Sequence, residues 1–494
     1  MVDFGLIDLQ EAMNEAETIL GDKYTYFQSL ITKYSVKPSK PFWDIIIFLT
    51  GLKVYKDTEL FNKWINFWNK YSVSRKYKNL IYQPSASFSP FLTEEEAEKK
   101  FTKLLKMLYN RDSELTEDQL WTLFFSLFYK LRNAIKPKFS KVEFRVFLTI
   151  LSEQTTILST LNKSLMMAKS NLSAYIKRIR EKKVIFEGFL LNLRKFNLSI
   201  FYSRIKYPLS CNEKITKIIP RGKFLRRVYE GHIACNYTFL SYLAPNLDEI
   251  KKEFLKNKKE ILEVIPNAEI DFFRSDRNSR LYSFNYSNYD FKKGKWNFDI
   301  DDINYNLFWL NNTKNSKTDN LVKIIENFPS NEDYELKFDK ETLDILRFFY
   351  LNPQKSVSQI IEEMDVRESK IRKAISDFEE NQILRARVNP APVFGLSNII
   401  LYIKEKKDKL RKIHEELSFF PEVYSEPLVN IETQEEELMI IVRAPEAITF
   451  QVVEALYQKY EKKIVGLFLI DQMYSTRQDL PLENFDTLFK RWKI

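Results

Sequence analysis

Two stretches about two hundred residues apart open alike: "KFSKVEFRVFLTIL" from Lys138 and "KFDKETLDILRFFY" from Lys337. Aligned without a gap to Ile185 and Leu384, only seven of 48 positions are identical, but the apolar positions agree far better. Phe144, Phe147 and Ile150 meet Leu343, Leu346 and Phe349; Leu158, Leu161 and Leu165 meet Val357, Ile360 and Met364. Leu172, Ile176 and Ile179 meet Ile371, Ile375 and Phe378. Matching inward faces are what a shared core requires. The correspondence resumes with "FNLSIFYSRIK" (Phe196–Lys206) against "FGLSNIILYIK" (Phe394–Lys404), and "LAP" at Leu243 against "RAP" at Arg443. Order and spacing agree, so the chain reads as a duplicated unit preceded by something else.

A chain of 494 residues is too long for one core. Only nine glycines and many helix formers point to mostly helix with some strand. The net charge of +10 favours an anionic partner such as nucleic acid and says nothing about fold. Two cysteines, Cys211 and Cys235, cannot build a disulfide framework, which fits a reducing compartment. Asp3, Asp8 and Glu11 interrupt any apolar leader. The most apolar run, Phe42–Leu52, is too short to span a bilayer. The expectation is a cytoplasmic protein without membrane contact.

The second copy is the clearer one. Asp339 suits the N-cap of a helix running to about Tyr350, which Pro353 ends. A second helix starts near Ser356, a tight turn follows at Asp365–Val366, and "ESKIRKAISDFEEN" makes a third helix. "ILRARVN" then has strand character, so the order reads as a winged helix-turn-helix. Beyond it, Leu396–Lys404, Val423–Ile431, "ELMIIVRA" and "KIVGLFLI" read as strands, with helices at Lys406–Ser418 and Pro445–Tyr460. This is the order βαββαβ of a ferredoxin-like domain.

The stretch "SVSQIIEEMDVRESKIRKAISDFEENQILRARVNPAPVFGL" resembles the N-terminal half of Lrp/AsnC feast–famine regulators. In that family the helix-turn-helix ends in a "leu-glu-x-x-gly-ile-ile" run; here the run is "FEENQIL", with Asn381 in the glycine's place, a residue that tolerates the left-handed conformation. Gly395 fits the family's glycine before the effector domain. The resemblance covers about Lys138–Phe273 and Lys337–Asp471 and implies an α+β, mainly helical chain. A helical N-terminal domain (1–136), read from its amphipathic runs and without counterpart in that family, precedes winged helix-turn-helix 1 (137–190), ferredoxin-like domain 1 (191–275) and an aromatic, Asn-rich arm (276–335). Winged helix-turn-helix 2 (336–390), ferredoxin-like domain 2 (391–472) and a C-terminal arm (473–494) complete it.

A helix-turn-helix sets its third helix in the major groove. The resemblance makes Lys169, Ser170, Asn171, Ser173, Lys177 and Arg178 the DNA-contacting candidates of the first copy, with Lys182 and Lys183 beyond. In the second copy they are Arg367, Ser369, Lys370, Arg372 and Lys373, with Arg385 and Arg387 on the wing. Arg and Lys bind guanine or phosphate, and Asn and Ser read bases or fix register. The family's effector site depends on a glycine-rich turn; "IETQEEEL" (Ile431–Leu438) and "HIACNYT" lack those glycines, which leaves the domains as dimerisation modules.

His232 and Cys235 lack a third ligand at metal-site spacing, and His414 lies on a charged helix and reads as solvated. No P-loop, dinucleotide fingerprint, G-x-S-x-G or H-E-x-x-H occurs. The expectation is a DNA-binding transcription regulator, not an enzyme, with no cofactor. Its partner is double-stranded DNA, and the N-terminal domain is the candidate contact with transcription machinery. Family members dimerise through the ferredoxin-like domains, so a tandem chain implies an intramolecular pseudo-dimer with two diverged recognition helices; further homodimerisation stays open. Two other readings stay open. One is a protein-interaction scaffold using its winged helices and aromatic N-terminal runs "ELFNKWINFWNKY" and "DQLWTLFFSLFYKLRN". The other is an enzyme like the siroheme decarboxylases of the same fold family, for which "RRVYEGH" (Arg226–His232) supplies Arg and His.

Overall fold

The computed structural model describes residues 9–34, 40–54, 57–71, 99, 136–208, 211, 218, 225–233, 235–245, 248–275, 279–298, 300–309, 324–326, 338–352, 355, 357–391, 393–477, 485–486 and 491–492. The fold is α+β with antiparallel sheets. Two compact units are formed, one from residues 1–137 with 391–395, the other from 138–390 with 396–494.

In the first unit, α1 (Leu9–Leu20), α2 (Tyr24–Tyr34), α3 (Lys40–Val54) and α4 (Thr58–Tyr71) pack together. The run "DIIIFLTG" makes α3 apolar nearly all round, and Ile46, Ile47, Phe48 and Leu49 are buried. The aromatic face of α4 turns inward: Trp64 stacks on Phe67 at 4.5 Å and Phe27 meets both rings edge-on. Two buried indoles find acceptors, Trp64 Nε1 donating to the Ile47 carbonyl (2.9 Å) and Trp43 Nε1 to that of Tyr71 (2.8 Å). The second aromatic run, Asp118–Asn133, lies outside the described residues. Gly395 takes φ +66°, and the Lys136 side chain lies where a Cβ would stand.

The second unit opens with three helices, α5 (Lys141–Glu153), α6 (Leu158–Leu165) and α7 (Lys169–Glu181), and the strand β1 (Ile185–Leu191). Ser140 and Glu143 form a reciprocal capping box on α5, the S-x-x-E signal in "SKVE". Then come β2 (Leu198–Tyr207), β3 (Leu225–Ile233), β4 (Cys235–Pro245), α8 (Asp248–Val264) and β5 (Glu269–Ser275). The connecting segment adds β6 (Leu281–Phe284), a small hairpin of β7 (Tyr289–Asp290) and β8 (Lys295–Trp296), a short helix at Ile300–Asn304, and β9 (Ile325–Glu326). This segment packs back on α5: Phe291 stacks on Phe144 at 5.0 Å, and Tyr286 meets Phe147.

A second set follows: α9 (Lys340–Leu351), α10 (Val357–Glu363), α11 (Glu368–Glu380), β10 (Leu384–Pro390), β11 (Leu396–Ile403), α12 (Leu410–Leu417), β12 (Glu422–Asn430), β13 (Glu436–Pro445), α13 (Thr449–Tyr460) and β14 (Ile464–Arg477). Asp339 caps α9, accepting from Thr342 N at 2.7 Å. At the end of α11 the left-handed residue is Gln382 (φ 51°), not Asn381 (φ −87°); the first set turns the same way at Lys183 (φ 49°). Gln382 is the fifth residue of "FEENQIL", so the left-handed turn falls one residue after the Asn381 expectation.

Strand order explains how the two sets meet. One set is ordered β3-β4-β2-β5 and the other β12-β13-β11-β14. Their hairpins share a register, Leu198 opposite Pro245 and Leu396 opposite Pro445. β5 pairs with β12 and β14 with β3, and β12–β13 pairing completes a closed ring of eight strands. Side chains alternate across it. Phe201 packs outward on Phe254 of α8 at 5.2 Å, while Arg204 points inward and reaches Asp271 (2.7 Å) and Glu437 (2.9 Å) between the rings of Phe273 and Tyr402. At the β5–β12 seam, Glu426 is fully buried and accepts from the Tyr202 hydroxyl and from Arg280 Nε (2.9 Å). His414 is also fully buried, its Nδ1 2.6 Å from Ser425 Oγ, which overturns the solvated reading: the apolar face of α12 lies against β12 and carries the imidazole inward. Among the described residues, no helix is long and apolar enough to cross a membrane.

Candidate nucleic-acid interface

The third helix of each set carries the candidate residues, and the two present them differently. On α7 the buried side is Leu172, Ile176 and Ile179, at helical spacing. That leaves Lys169, Ser170, Asn171, Ser173, Lys177 and Arg178 exposed on the outer side. Met166, left-handed at φ 51° in the turn before α7, is 93% exposed. The cations beyond this set do structural work. Arg180 forms a two-pronged ion pair with Glu187 of β1, whose hydrogen bonds and charge raise the guanidinium's pKa. Lys182 donates to the Lys138 carbonyl (2.8 Å) and to Glu143 (3.1 Å). Burial pushes the pKa of Lys183 down. The capping box escaped the sequence analysis although "SKVE" carries its signal, and Lys182, 39 residues on, leaves no local signal at all.

On α11, Ile371, Ala374, Ile375 and Phe378 face inward. Arg367, Ser369, Arg372 and Lys373 are exposed. Lys370 is clamped instead by two carboxylates of the first turn of α9, Asp339 (2.8 Å) and Glu341. The hydrogen bond from Lys370, with that from Thr342 N, pulls the Asp339 pKa down to about 2, and Asp339 and Glu341 raise the ammonium's. Arg372 pairs with Glu368 one turn earlier at 2.7 Å.

The expected wing is not a free hairpin. β1 and β10 pair with each other, from Ile185 opposite Pro390 to Leu191 opposite Leu384. Arg385 stays exposed, but Arg387 is buried, stacked over the Tyr282 ring at 3.7 Å with Nε donating to Asn389 Oδ1 at 2.7 Å. It ties β10 to the connecting segment and is withdrawn as a DNA contact; "ILRARVN" gives no hint of this, because Tyr282 lies about a hundred residues away.

Charge separates the two three-helix sets further. Residues 138–191 hold ten basic and four acidic side chains, net +6; the equivalent 337–390 hold ten of each, net 0. Among the described residues, no cluster of three or more His, Cys, Asp or Glu side chains is placed to hold a metal ion. The side chain of His232 lies outside them.

No known protein family matches the chain, and no curated protein is similar to it in sequence. Solved structures with partial likeness include the siroheme decarboxylase NirDL in complex with an iron-uroporphyrin III analogue (11% identity, TM-score 0.34, 66% of this chain against 90% of that one). A second structure of siroheme decarboxylase NirDL gives 12% identity and a TM-score of 0.33. An anthrone oxidase-like protein gives 6% identity and 0.27, over 58% of this chain and 96% of that one. At these values the likeness carries no argument about activity.

Proposed function

We propose that this protein is a sequence-specific duplex-DNA-binding regulator of transcription without enzymatic activity. In this reading each set of the second unit is a winged helix-turn-helix followed by a ferredoxin-like domain, and the two copies form a pseudo-dimer within one chain. The closed ring of strands and the β1–β10 pair support the pseudo-dimer. The outer face of α7 carries the functional reading: six polar or cationic side chains, all exposed, on a segment of net charge +6. That is the composition a groove-reading helix needs, cations for phosphate and Asn and Ser for base edges.

Fluorescence anisotropy on pooled genomic fragments across a salt series tests it. Binding should weaken steeply with salt, and Lys169→Ala/Lys177→Ala/Arg178→Ala should lower the log–log slope by about 0.9 for each phosphate contact removed. Salt-insensitive binding, or none at low salt, refutes DNA as the partner and favours the scaffold reading. A tetrapyrrole enzyme would instead purify with a visible absorption band, and that band would overturn the non-enzymatic reading.

A further inference from the structure

We infer that DNA is engaged from one side only: α7 enters the duplex, α11 does not, and the target is a single asymmetric half-site rather than a palindrome. This rests on the DNA-binding reading above and narrows it. The second and third helices of the two sets correspond residue by residue at a fixed offset, and at four positions the charge inverts. Lys163, Lys169, Arg178 and Arg180 of the first set stand where the second has Glu362, Glu368, Asp377 and Glu379. The exposed Met166 at the tip of the turn corresponds to Asp365, also exposed. An apolar tip can meet a thymine methyl, whereas a carboxylate at that point faces the phosphate backbone.

The cations that α11 retains are partly committed. Lys370 is held between Asp339 and Glu341 and Arg372 by Glu368; beyond the helix, Arg387 of β10 lies buried on Tyr282. For Lys370 to reach a phosphate, it must leave two carboxylates that would themselves approach the DNA. On α7, the cations tied to carboxylates are Arg180 and, just beyond its end, Lys182; Lys169, Lys177 and Arg178 lie exposed on the outer face. A symmetric protein dimer reads two half-sites about one helical turn apart. Here the second reading head has been neutralised.

Two measurements on the full chain decide this. Selection from a random duplex pool of about two helical turns should return one asymmetric block shorter than a turn. Anisotropy at physiological salt should show at least a tenfold loss of affinity for Lys169→Gln/Lys177→Gln/Arg178→Gln. It should show less than a twofold change for Arg367→Gln/Arg372→Gln/Lys373→Gln. All six positions are exposed, so both variants should fold. Two dyad-related blocks, or equal losses from both variants, overturn the one-sided contact while leaving DNA binding intact. Absence of salt-sensitive binding by the unaltered chain overturns the DNA reading itself, and this inference with it.

Discussion

Glu426→Ala tests what holds the ring closed. The carboxylate is fully buried on β12 and is shared by Tyr202 of β2 and Arg280, the residue that leads into β6. Arg280 also donates to the Tyr202 hydroxyl at 3.0 Å, so the three groups form one closed network across the seam between the two sets. Arg280 is only 13% exposed. Removing Glu426 strands its guanidinium in a low-dielectric site, and breaking a buried pair in this way costs about 3–5 kcal/mol. Replacing the whole network with apolar groups, as Glu426→Leu/Arg280→Met/Tyr202→Phe, leaves no stranded charge and should lie within about 1 kcal/mol of the unaltered chain or above it.

Two-state bookkeeping is licensed for small single domains. The readout is therefore hydrogen exchange at amides of β2, β5 and β12 through a urea series, with far-UV circular dichroism alongside. If Glu426→Ala behaves like a surface substitution, within about 0.5 kcal/mol, the network is not the buried cross-link described. If the triple replacement is as damaging as the single one, the loss comes from packing and the electrostatic reasoning fails.

Three further outcomes are expected. Burial lowers the His414 pKa to about 3, below its unfolded value near 6.5, so the unfolded chain takes up the proton first as pH falls. The stability this histidine permits is complete above about pH 6.5 and is lost toward pH 3, about 2 kcal/mol by pH 5; in His414→Leu the pH 5–7 slope measured by urea titration should flatten. Gly395→Ala, at φ +66° and against the Lys136 side chain, should cost at least about 1 kcal/mol in thermal unfolding, and Gly395→Asn less. Asp339→Asn/Glu341→Gln keeps an N-cap for α9 but removes the two carboxylates inferred to keep α11 off the duplex, so on the DNA reading the log–log salt slope should steepen by up to about 0.9 in anisotropy as Lys370 gains a phosphate.

The second set was legible almost element by element, because α9 to α13 and β10 to β14 announce themselves locally. Asp339 caps, the Ile371–Phe378 face has helical spacing, and the short apolar runs "IILYI" and "LMIIV" mark β11 and β13. What escaped was long-range. His414 looked solvated because its neighbours Lys412 and Glu415 are charged, yet it falls on the face with Leu410, Ile413 and Leu417. Arg387 looked like a wing cation because nothing near it in sequence predicts Tyr282 beneath it. The inward charges Arg204 and Glu426 were missed for the same reason: a lone charge in a strand is read as facing water unless its partner, 233 or 146 residues away, is known.

The seams also bear on how the two sets differ. On the proposed duplication, β1 and β10 are counterparts, and Gly188 opposite Arg387 lies at the centre of their pairing, with Ile185 facing Pro390 and Leu191 facing Leu384 at its ends. A dimer of identical chains would set the same residue on both sides of that centre. Two arginines there would have Cβ atoms about 4.5–5.5 Å apart, a destabilising like-charge pair. With both strands in one chain, one side is glycine and the other is free to bury its guanidinium on Tyr282. The same freedom operates inside the ring, where Arg204 corresponds to Tyr402 and the two stack on each other instead of repeating. Fusion removes the requirement that both halves of an interface be identical. Once the seams no longer need symmetry, neither do the helices they carry, and a charge inversion from α7 to α11 can accumulate without loss of the closed ring that positions both.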